Sequence, residues 1–437
     1  MKRTYTSEIR SQLGKEIKLQ GWTHIIRDQS KIIFIILRDI HGLCQCVITT
    51  EMPEIFEQAK RLRTESVIEI LGEVKEEKQA PGGYEISVKK LIVLSEPLDE
   101  LPIPVVEKQE SETEQSTRLD WRWIDLRKPD KSLIFKTWTT MESLFRNFLI
   151  EKDFMDIHSP KLMSTPSESG AELFEVKYFE RTAYLAQSPQ FYKQMAMSAG
   201  FEKIFEVGPI FRANPSFTSR HDTEFTGFDF EISFIESHQD IIKIEEELLQ
   251  HIINGVKEKH GEAIKSQFGR ELIIPTIPFP QVTMVQAKEI LKTLKIESER
   301  EDDLSPEEER ELSKFIKDKY NHEFVFITEY PISIRPFYHM RFSEKEGITK
   351  SFDLLWNGVE ITTGAQREHR YEILKQQAIE KGLSMESIKH YMNFFKYGCP
   401  PHGGCGIGPS RIIMKIFDLP NVREATYLYR GVKRLTP

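Results

Sequence analysis

Two arginines eight residues apart, Arg212 and Arg220, stand in the stretch FRANPSFTSRHDTEF at residues 211–225. A run rich in Ser, Thr, Asn and Pro lies between two apolar, strand-like runs, as in a hairpin. Guanidinium forks bind phosphate oxygens bidentately, so two arginines facing each other across a hairpin suit a polyphosphate. Phe225 on the returning run offers a flat face to a purine, with an arginine stacked on its other side. An exposed, solvated hairpin has the same composition, and such charges contribute little. The rest of the chain decides between the two.

Near the C-terminus stands GCPPHGGCGIGPSR, residues 398–411. Its glycines permit close backbone approach, and Arg411 falls where a helical pattern begins through Ile412, Ile413 and Ile416. The segment reads as a glycine-rich loop entering a helix; its spacing fits neither a Walker loop nor the dinucleotide fingerprint. Asp353 and Glu360 lie seven residues apart in FDLLWNGVEITTG, and Thr363 follows three later. Two carboxylates and a hydroxyl are hard oxygen ligands, suited to Mg²⁺ that also touches phosphate. No Ser/His/Asp or Cys/His arrangement asks for a protein nucleophile.

The elements that must position these groups fall into three stretches. Residues 16–96 read as five short strands with a helix at Pro53–Leu62, the pattern of a small Greek-key barrel of the oligonucleotide-binding kind. The predicted boundaries are a barrel domain over 1–100, a linker over 101–130 and a second domain over 131–437. The linker is acidic and rich in Pro, Ser and Thr. From Ile134 an apolar stripe runs at helical spacing through Phe135, Trp138, Met141, Leu144, Phe145, Phe148 and Leu149, followed by the strand-like FMDIHSP. A helical insertion is predicted around 238–323, its clearest start the capping box at Ser305-Pro306-Glu307-Glu308. The signature segments are strand–hairpin–strand without βαβ alternation, so the second domain is predicted as α+β on a mostly antiparallel sheet.

Bulk properties exclude little. The net charge of −8 argues against indiscriminate nucleic-acid binding, although steering depends on the local field. The first hundred residues hold 15 Lys+Arg against 16 Asp+Glu, so charge does not locate an RNA face. The N-terminus has no leader-like apolar core, and no run is long enough to span a bilayer. The four cysteines lack the paired spacing of a zinc site. A reduced, cytoplasmic protein with no membrane contact is expected.

Taken together, the segment ending at Pro160, the FRAN…RHDTEF hairpin and GIGPSRI resemble the three signatures of the class II aminoacyl-tRNA synthetases, in the family's order. YLAQSPQFYKQ, FDFEISF and VEITTGAQREHR narrow the resemblance to the archaeal-type aspartyl branch, over essentially the whole chain. It implies an N-terminal OB-fold anticodon-binding barrel, a class II catalytic domain, and a homodimer through the helix from Ile134 and the strand ending at Pro160. The substrates would be ATP with Mg²⁺, L-aspartate and tRNA.

By resemblance, Arg212 bridges the amino-acid carboxylate and the α-phosphate, and Arg212 and Arg411 are the catalytic pair. Arg220 and His221 hold the outer phosphates with Asp222 beside them, and Phe225 with Arg411 sandwiches adenine. Ala213, Asn214, Glu360, Gly408, Pro409 and Ser410 complete the ATP site. Asp353, Glu360 and Thr363 hold the metal. Lys193 and Arg367 are the cations for the side-chain carboxylate, with Gln190, Asp229 and Thr363 around them, and Glu168 binds the α-ammonium. In the barrel, Phe34, Gln45 and Glu85 match positions that stack on or hydrogen-bond anticodon bases. His24 and Pro81 occupy the two positions associated with relaxed anticodon reading, which implies acceptance of both the aspartate and asparagine tRNAs.

Three departures stand out: Asn214 for the usual glutamate, Ser410 for an acidic residue, and Thr363 and Ala365 for serine and glycine. They keep two rivals in play: an asparaginyl or amide-forming paralogue of the same fold, and a catalytically silent RNA-binding relative.

Overall fold

The computed structural model describes residues 1–107, 112–165, 173–215 and 218–437. The chain divides into two units, Met1–Ser132 and Leu133–Thr436.

In the first unit, β1 (Glu16–Asp28), β2 (Ile32–Arg38), β3 (Leu43–Thr49), β4 (Val67–Glu76) and β5 (Tyr84–Ser95) close a barrel in the order β1-β2-β3-β5-β4. Period-2 alternation fills it: Cys44, Cys46 and Ile48 of β3 point inward with Leu19, Ile35, Ile70 and Ile86. Helix α1 (Pro53–Arg61), with proline at its first position, packs Phe56 and Ala59 on this core. The stretch read as a linker is more structured than its composition suggests. It carries α2 (Gln115–Asp120) and α3 (Arg122–Asp125). Buried Asp125 takes 2.7 Å and 2.9 Å ion pairs from Arg122 and Lys128.

Helix α4 runs Pro129–Glu151, five residues earlier than its apolar stripe begins. In the second unit, β6 (Met155–Asp156) is followed by a small sheet of β7 (Leu162–Met163), β8 (Glu175–Tyr178) and β9 (Arg181–Leu185). After α5 (Gln190–Ser198) come β10 (Lys203–Phe211), β11 (Glu224–Ser233) and the long α6 (His238–Phe268). Next are β12 (Gln281–Thr283), α7 (Met284–Thr293), α8 (Pro306–Tyr320), β13 (Phe324–Thr328), β14 (Ser351–Trp356) and β15 (Val359–Arg367). The unit ends with α9 (Tyr371–Glu380), α10 (Lys389–Asn393), β16 (His402–Ile407), α11 (Pro409–Phe417) and α12 (Val422–Ala425). The main sheet has the order β12-β13-β14-β15-β16-β11-β10-β6. Its central pairings are antiparallel and only the two edges, β12–β13 and β6–β10, are parallel.

Strand alternation sorts the sheet into two faces. Phe228, Phe230, Phe352, Leu354, Cys405 and Ile407 join the residues of α4, α6 and α11 in the main core. The other face carries Phe225, Asp229, Glu231, Thr363, Arg367, Gly404 and Gly406, and it is flanked by two smaller cores. One joins α7 and α8 to Val325, Ile327 and Leu355; the other joins α5, α9 and α10 around Phe191, Phe337 and Tyr391. Between them the second face stays open as a floor.

The glycine-rich segment expected as a loop is strand β16. Gly403 and Gly404 have no room for a side chain, and Gly406 is tightly fitted. Gly404 pairs with Glu231, and a Cβ there would come within 2.4 Å of the Glu231 carboxylate; Gly406 pairs with Asp229, and the matching distance is 3.2 Å.

Candidate active site

The open face floors a cavity of about 340 Å³. Five arginines line it: Arg212, Arg220, Arg335, Arg367 and Arg411. Along β11, Phe225 and Asp229 are four residues apart on one face, which places them about 13 Å apart at 3.3 Å per residue. The cavity therefore has two ends.

At the Phe225 end, Arg212 follows β10, and its guanidinium lies 5.6 Å from the Phe225 ring centroid. The arginine over Phe225 is thus Arg212, whereas Arg411 is held by Glu360: its Nη1 donates to the Glu360 carbonyl at 2.7 Å and to Oε1 at 3.2 Å. Arg411 lies in the first turn of α11, after Pro409 and Ser410. Asn214, His221, Asp222, Gly408 and Ser410 also face this end, while Pro409 is buried and Ala213 half-buried beside it. Arg220 is paired with the Glu309 carboxylate at the start of α8, a partner with no sequence signal. Burial pushes Glu309 up to about 7 against the pull of Arg220. Burial likewise lifts Asp222 to about 7, so near neutrality it is a hydrogen-bond donor for part of the time. The loop carrying these groups is braced by the chain's last turns: Val422 N–H donates to the Ser219 carbonyl, Arg423 Nη1 to that of Thr218, and Thr223 N–H to that of Arg430.

At the Asp229 end, Lys193 projects from α5 and is 1 % exposed. Its ammonium lies 2.8 Å from Asp229 and 3.4 Å from Glu231, and it donates to the Cys405 carbonyl at 3.2 Å. Burial works to lower its pKa, but Asp229 and Glu231 outweigh it and raise the value. Arg367 sits across the same pair, with Nε donating to Glu231 at 3.0 Å. Gln190, one turn before Lys193, reaches Gln194 at 3.0 Å. Glu231, part of FDFEISF but not expected as a site residue, also belongs to this end, and Tyr338 and His339, which carry no motif, complete it. Glu168 lies outside the described residues.

Between the ends stand Glu360 and Thr363. In a regular strand their side chains would point to opposite faces. The β14–β15 register shifts from Leu354–Thr362 to Leu355–Glu360, so Ile361 is a bulge residue and the alternation inverts there. Both side chains then reach the cavity, with Thr363 Oγ1 donating to Glu360 Oε1 at 3.3 Å. Asp353 is the ladder partner of Thr363; its Oδ2 accepts from Arg335 at 2.6 Å, and its buried Oδ1 makes no hydrogen bond among the described residues. Burial, followed by the like charge of Glu360, holds Asp353 above the usual carboxylate range. An orphaned buried oxygen beside a second carboxylate and a hydroxyl fits a divalent cation completed by phosphate oxygens. Among the described residues, no group of three or more His, Cys, Asp or Glu side chains is arranged to hold a metal ion.

In the barrel, Phe34 is half-buried on β2. Gln45 Nε2 donates to Glu85 at 3.1 Å across the parallel β3–β5 pair, which puts two of the three proposed base contacts side by side. His24 is buried, with Nδ1 2.6 Å from Arg38 Nη1, and Arg38 clasps Glu65 through two 2.7 Å bonds. Pro81 is exposed at the head of a short turn, Pro81–Gly83.

Comparison with known proteins agrees with this geometry. Residues 114–430 match the family described as tRNA synthetases class II (D, K and N), and residues 17–94 match the OB-fold nucleic acid binding domain. The chain belongs to the class II tRNA synthetases. An aspartate–tRNA(Asp/Asn) ligase of Methanopyrus kandleri is 42 % identical over the whole of both chains. An aspartate–tRNA(Asp) ligase of Pyrococcus abyssi is also 42 % identical, over 99 % of each. Among solved structures, an asparaginyl-tRNA synthetase of Pyrococcus horikoshii complexed with asparaginyl-adenylate superposes with a TM-score of 0.93 at 32 % identity, covering 100 % of both chains. The aspartyl-tRNA synthetase of Entamoeba histolytica gives 0.89 at 32 %, covering 100 % of this chain and 93 % of that one. No helix of the described residues is long and apolar enough to cross a membrane.

Proposed function

We propose that the enzyme attaches L-aspartate to tRNA through an aspartyl-adenylate. The observation that carries this reading is one cavity with an arginine- and phenylalanine-lined end at Phe225 and, around Asp229 about 13 Å further along β11, the buried cations Lys193 and Arg367. In the first step a carboxylate oxygen of the amino acid bonds to the α-phosphorus of ATP, and the α–β phosphoanhydride bond breaks to release pyrophosphate. Arg212 contacts both anions, Arg220 and His221 hold the departing phosphates, and Phe225 with Arg411 encloses the adenine. Arg411 is already aimed by Glu360. In the second step a ribose hydroxyl at the tRNA 3′ end takes the aspartyl group, and AMP leaves. Positioning and charge stabilisation are the protein's contribution to both. Asp353, Glu360 and Thr363 would hold Mg²⁺, which would supply charge neutralisation of the phosphates.

Lys193 and Arg367 present only donors to a substrate side chain, which favours a carboxylate over an amide NH₂. Asparagine remains the second reading because of the 0.93 TM-score to an asparaginyl enzyme. ATP–pyrophosphate exchange with aspartate and asparagine in parallel decides between them: aspartate is expected to exchange far better, and equal exchange would sink the assignment of Lys193.

Relaxed tRNA choice is part of the same reading, supported by the name of the Methanopyrus relative. The two transcripts are expected to be aspartylated within about tenfold of each other, under roughly 1.4 kcal/mol of discrimination. Pro81→Lys is the cleaner variant because its site is exposed, and it should shift charging toward the aspartate tRNA. His24→Trp must act through Arg38, since His24 is buried against it. A wild type that already prefers one transcript a hundredfold would remove both residues from this role. The reading also includes a cytoplasmic homodimer through α4 and the segment ending at Pro160. A monomer by light scattering at micromolar concentration would contradict the dimer.

A further inference from the structure

The cation that faces the substrate side chain, Arg367, has each of its three nitrogens in one contact, which leaves one N–H on each terminal nitrogen for a substrate. Nε donates to Glu231 at 3.0 Å, Nη2 to the Gly404 carbonyl at 3.0 Å, and Nη1 meets His339 Nε2 at 3.0 Å. Two of these partners belong to the sheet that carries Arg367. The third is supplied by a segment outside the sheet, residues 336–341, which runs beside the end of β15 through a bridge at His339–Arg367 and a Met340 N–H bond to the Gln366 carbonyl. That segment is pinned from behind by Gln377 of α9, whose Nε2 donates to the carbonyls of Phe337 at 2.5 Å and His339 at 3.1 Å. A chain of contacts thus runs from α9 through Gln377 and His339 to the guanidinium.

The chemistry of the last contact is one-sided. Arginine has no acceptor, so Nε2 of His339 must accept and carry no proton. The single proton of the neutral ring then sits on Nδ1, which is buried and has no hydrogen-bond partner among the described residues. An imidazolium could not accept from Arg367 and would set two cations together. Burial, and then the charges of Arg367, Arg335 and Lys193, hold the ring's pKa well below its usual value, in line with that geometry.

We propose that His339 is a positioning residue for the amino-acid side chain: as a neutral ring protonated on Nδ1, it fixes the plane of the Arg367 guanidinium through Nε2 and so sets how the enzyme grips the substrate carboxylate. This rests on the aspartate reading above, and it goes beyond it by giving a role to a residue that does not touch the reacting atoms. A rigid guanidinium held only through Nε and Nη2 can still pivot as a plane about those two anchors; the third bond, on Nη1, restrains that pivot, and bidentate recognition depends on the orientation.

Two variants separate positioning from filling space. His339→Phe keeps the ring and loses the acceptor; His339→Gln places an amide oxygen near the Nε2 position. In pyrophosphate exchange, the phenylalanine variant is expected to raise the KM for aspartate at least tenfold while the KM for ATP stays within about threefold. The glutamine variant should recover most of the loss. Equal behaviour of the two variants, or parallel shifts in both KM values, would overturn the proposal. The tautomer is read independently of any substrate by nitrogen NMR of ¹⁵N-histidine-labelled protein near neutral pH. The expected His339 signals are a protonated Nδ1 and an unprotonated Nε2, and the opposite tautomer or a charged ring would overturn the proposal. Failure of the wild type to exchange with aspartate would count against the substrate reading and leave the NMR result to judge His339.

Discussion

Replacing Lys193 with leucine is expected to reduce aspartate-dependent pyrophosphate exchange by two to three orders of magnitude or more. The side chain is buried and its ammonium lies between Asp229 and Glu231. Removing one partner of a buried pair leaves an uncompensated charge and costs about 3–5 kcal/mol. Here the loss falls on the substrate carboxylate as well as on Asp229, whose own pKa burial already raises against the pull of Lys193. The change lies at the far end of the cavity from Phe225, so ATP affinity should move by less than about threefold. Equilibrium binding of ATP and a thermal melt complete the test. A variant that loses ATP binding in step with aspartate, or simply melts at the assay temperature, would show that Lys193 holds the fold together and does not select the amino acid.

Arg212→Ala is the second large effect. Arg212 stands where β10 leaves the sheet, its backbone N–H bonded to the Thr223 carbonyl across the hairpin and its guanidinium lying by Phe225. In the proposed reaction it is the one cation touching both the attacking carboxylate and the α-phosphate. Removing a preorganised donor of that kind typically costs about 10²–10³ in rate. The expected signature is a fall in the single-turnover rate of adenylate formation at saturating ATP and aspartate. A variant within tenfold of wild type would take Arg212 out of that role.

The sequence carried the parts of the site that lie on short contiguous motifs. Arg212, Arg220, His221, Asp222 and Phe225 sit on one hairpin, and the cavity gathers all five. The antiparallel character of the sheet was also legible, because the signature segments read as hairpins with no crossover helices. What was missed comes from contacts between distant segments. Glu309 reaches Arg220 from 89 residues away, and His339 reaches Arg367 from a stretch with no periodicity. The glycines of β16 misled for a related reason. Glycine is usually a turn signal, but here it leaves room for carboxylates on the neighbouring strand. The linker composition at 101–130 likewise hid a buried ion cluster, since Arg, Lys and Asp look the same in sequence whether solvated or paired.

The bulge at Ile361 makes chain length a chemical variable. With strict alternation, Glu360 would share a face with Thr362, which lies against the Glu245 side of the sheet, and its carboxylate would be driven into the main core. One extra residue turns it round to meet Thr363 and Arg411. Inserting a single residue between Glu360 and Thr363 while the bulge is kept would therefore strip the cavity of an oxygen ligand and of the group that aims Arg411, with every residue named in the site still present in the chain. A sequence comparison that scores residue identities alone would judge such a protein intact, and its spacing would say otherwise.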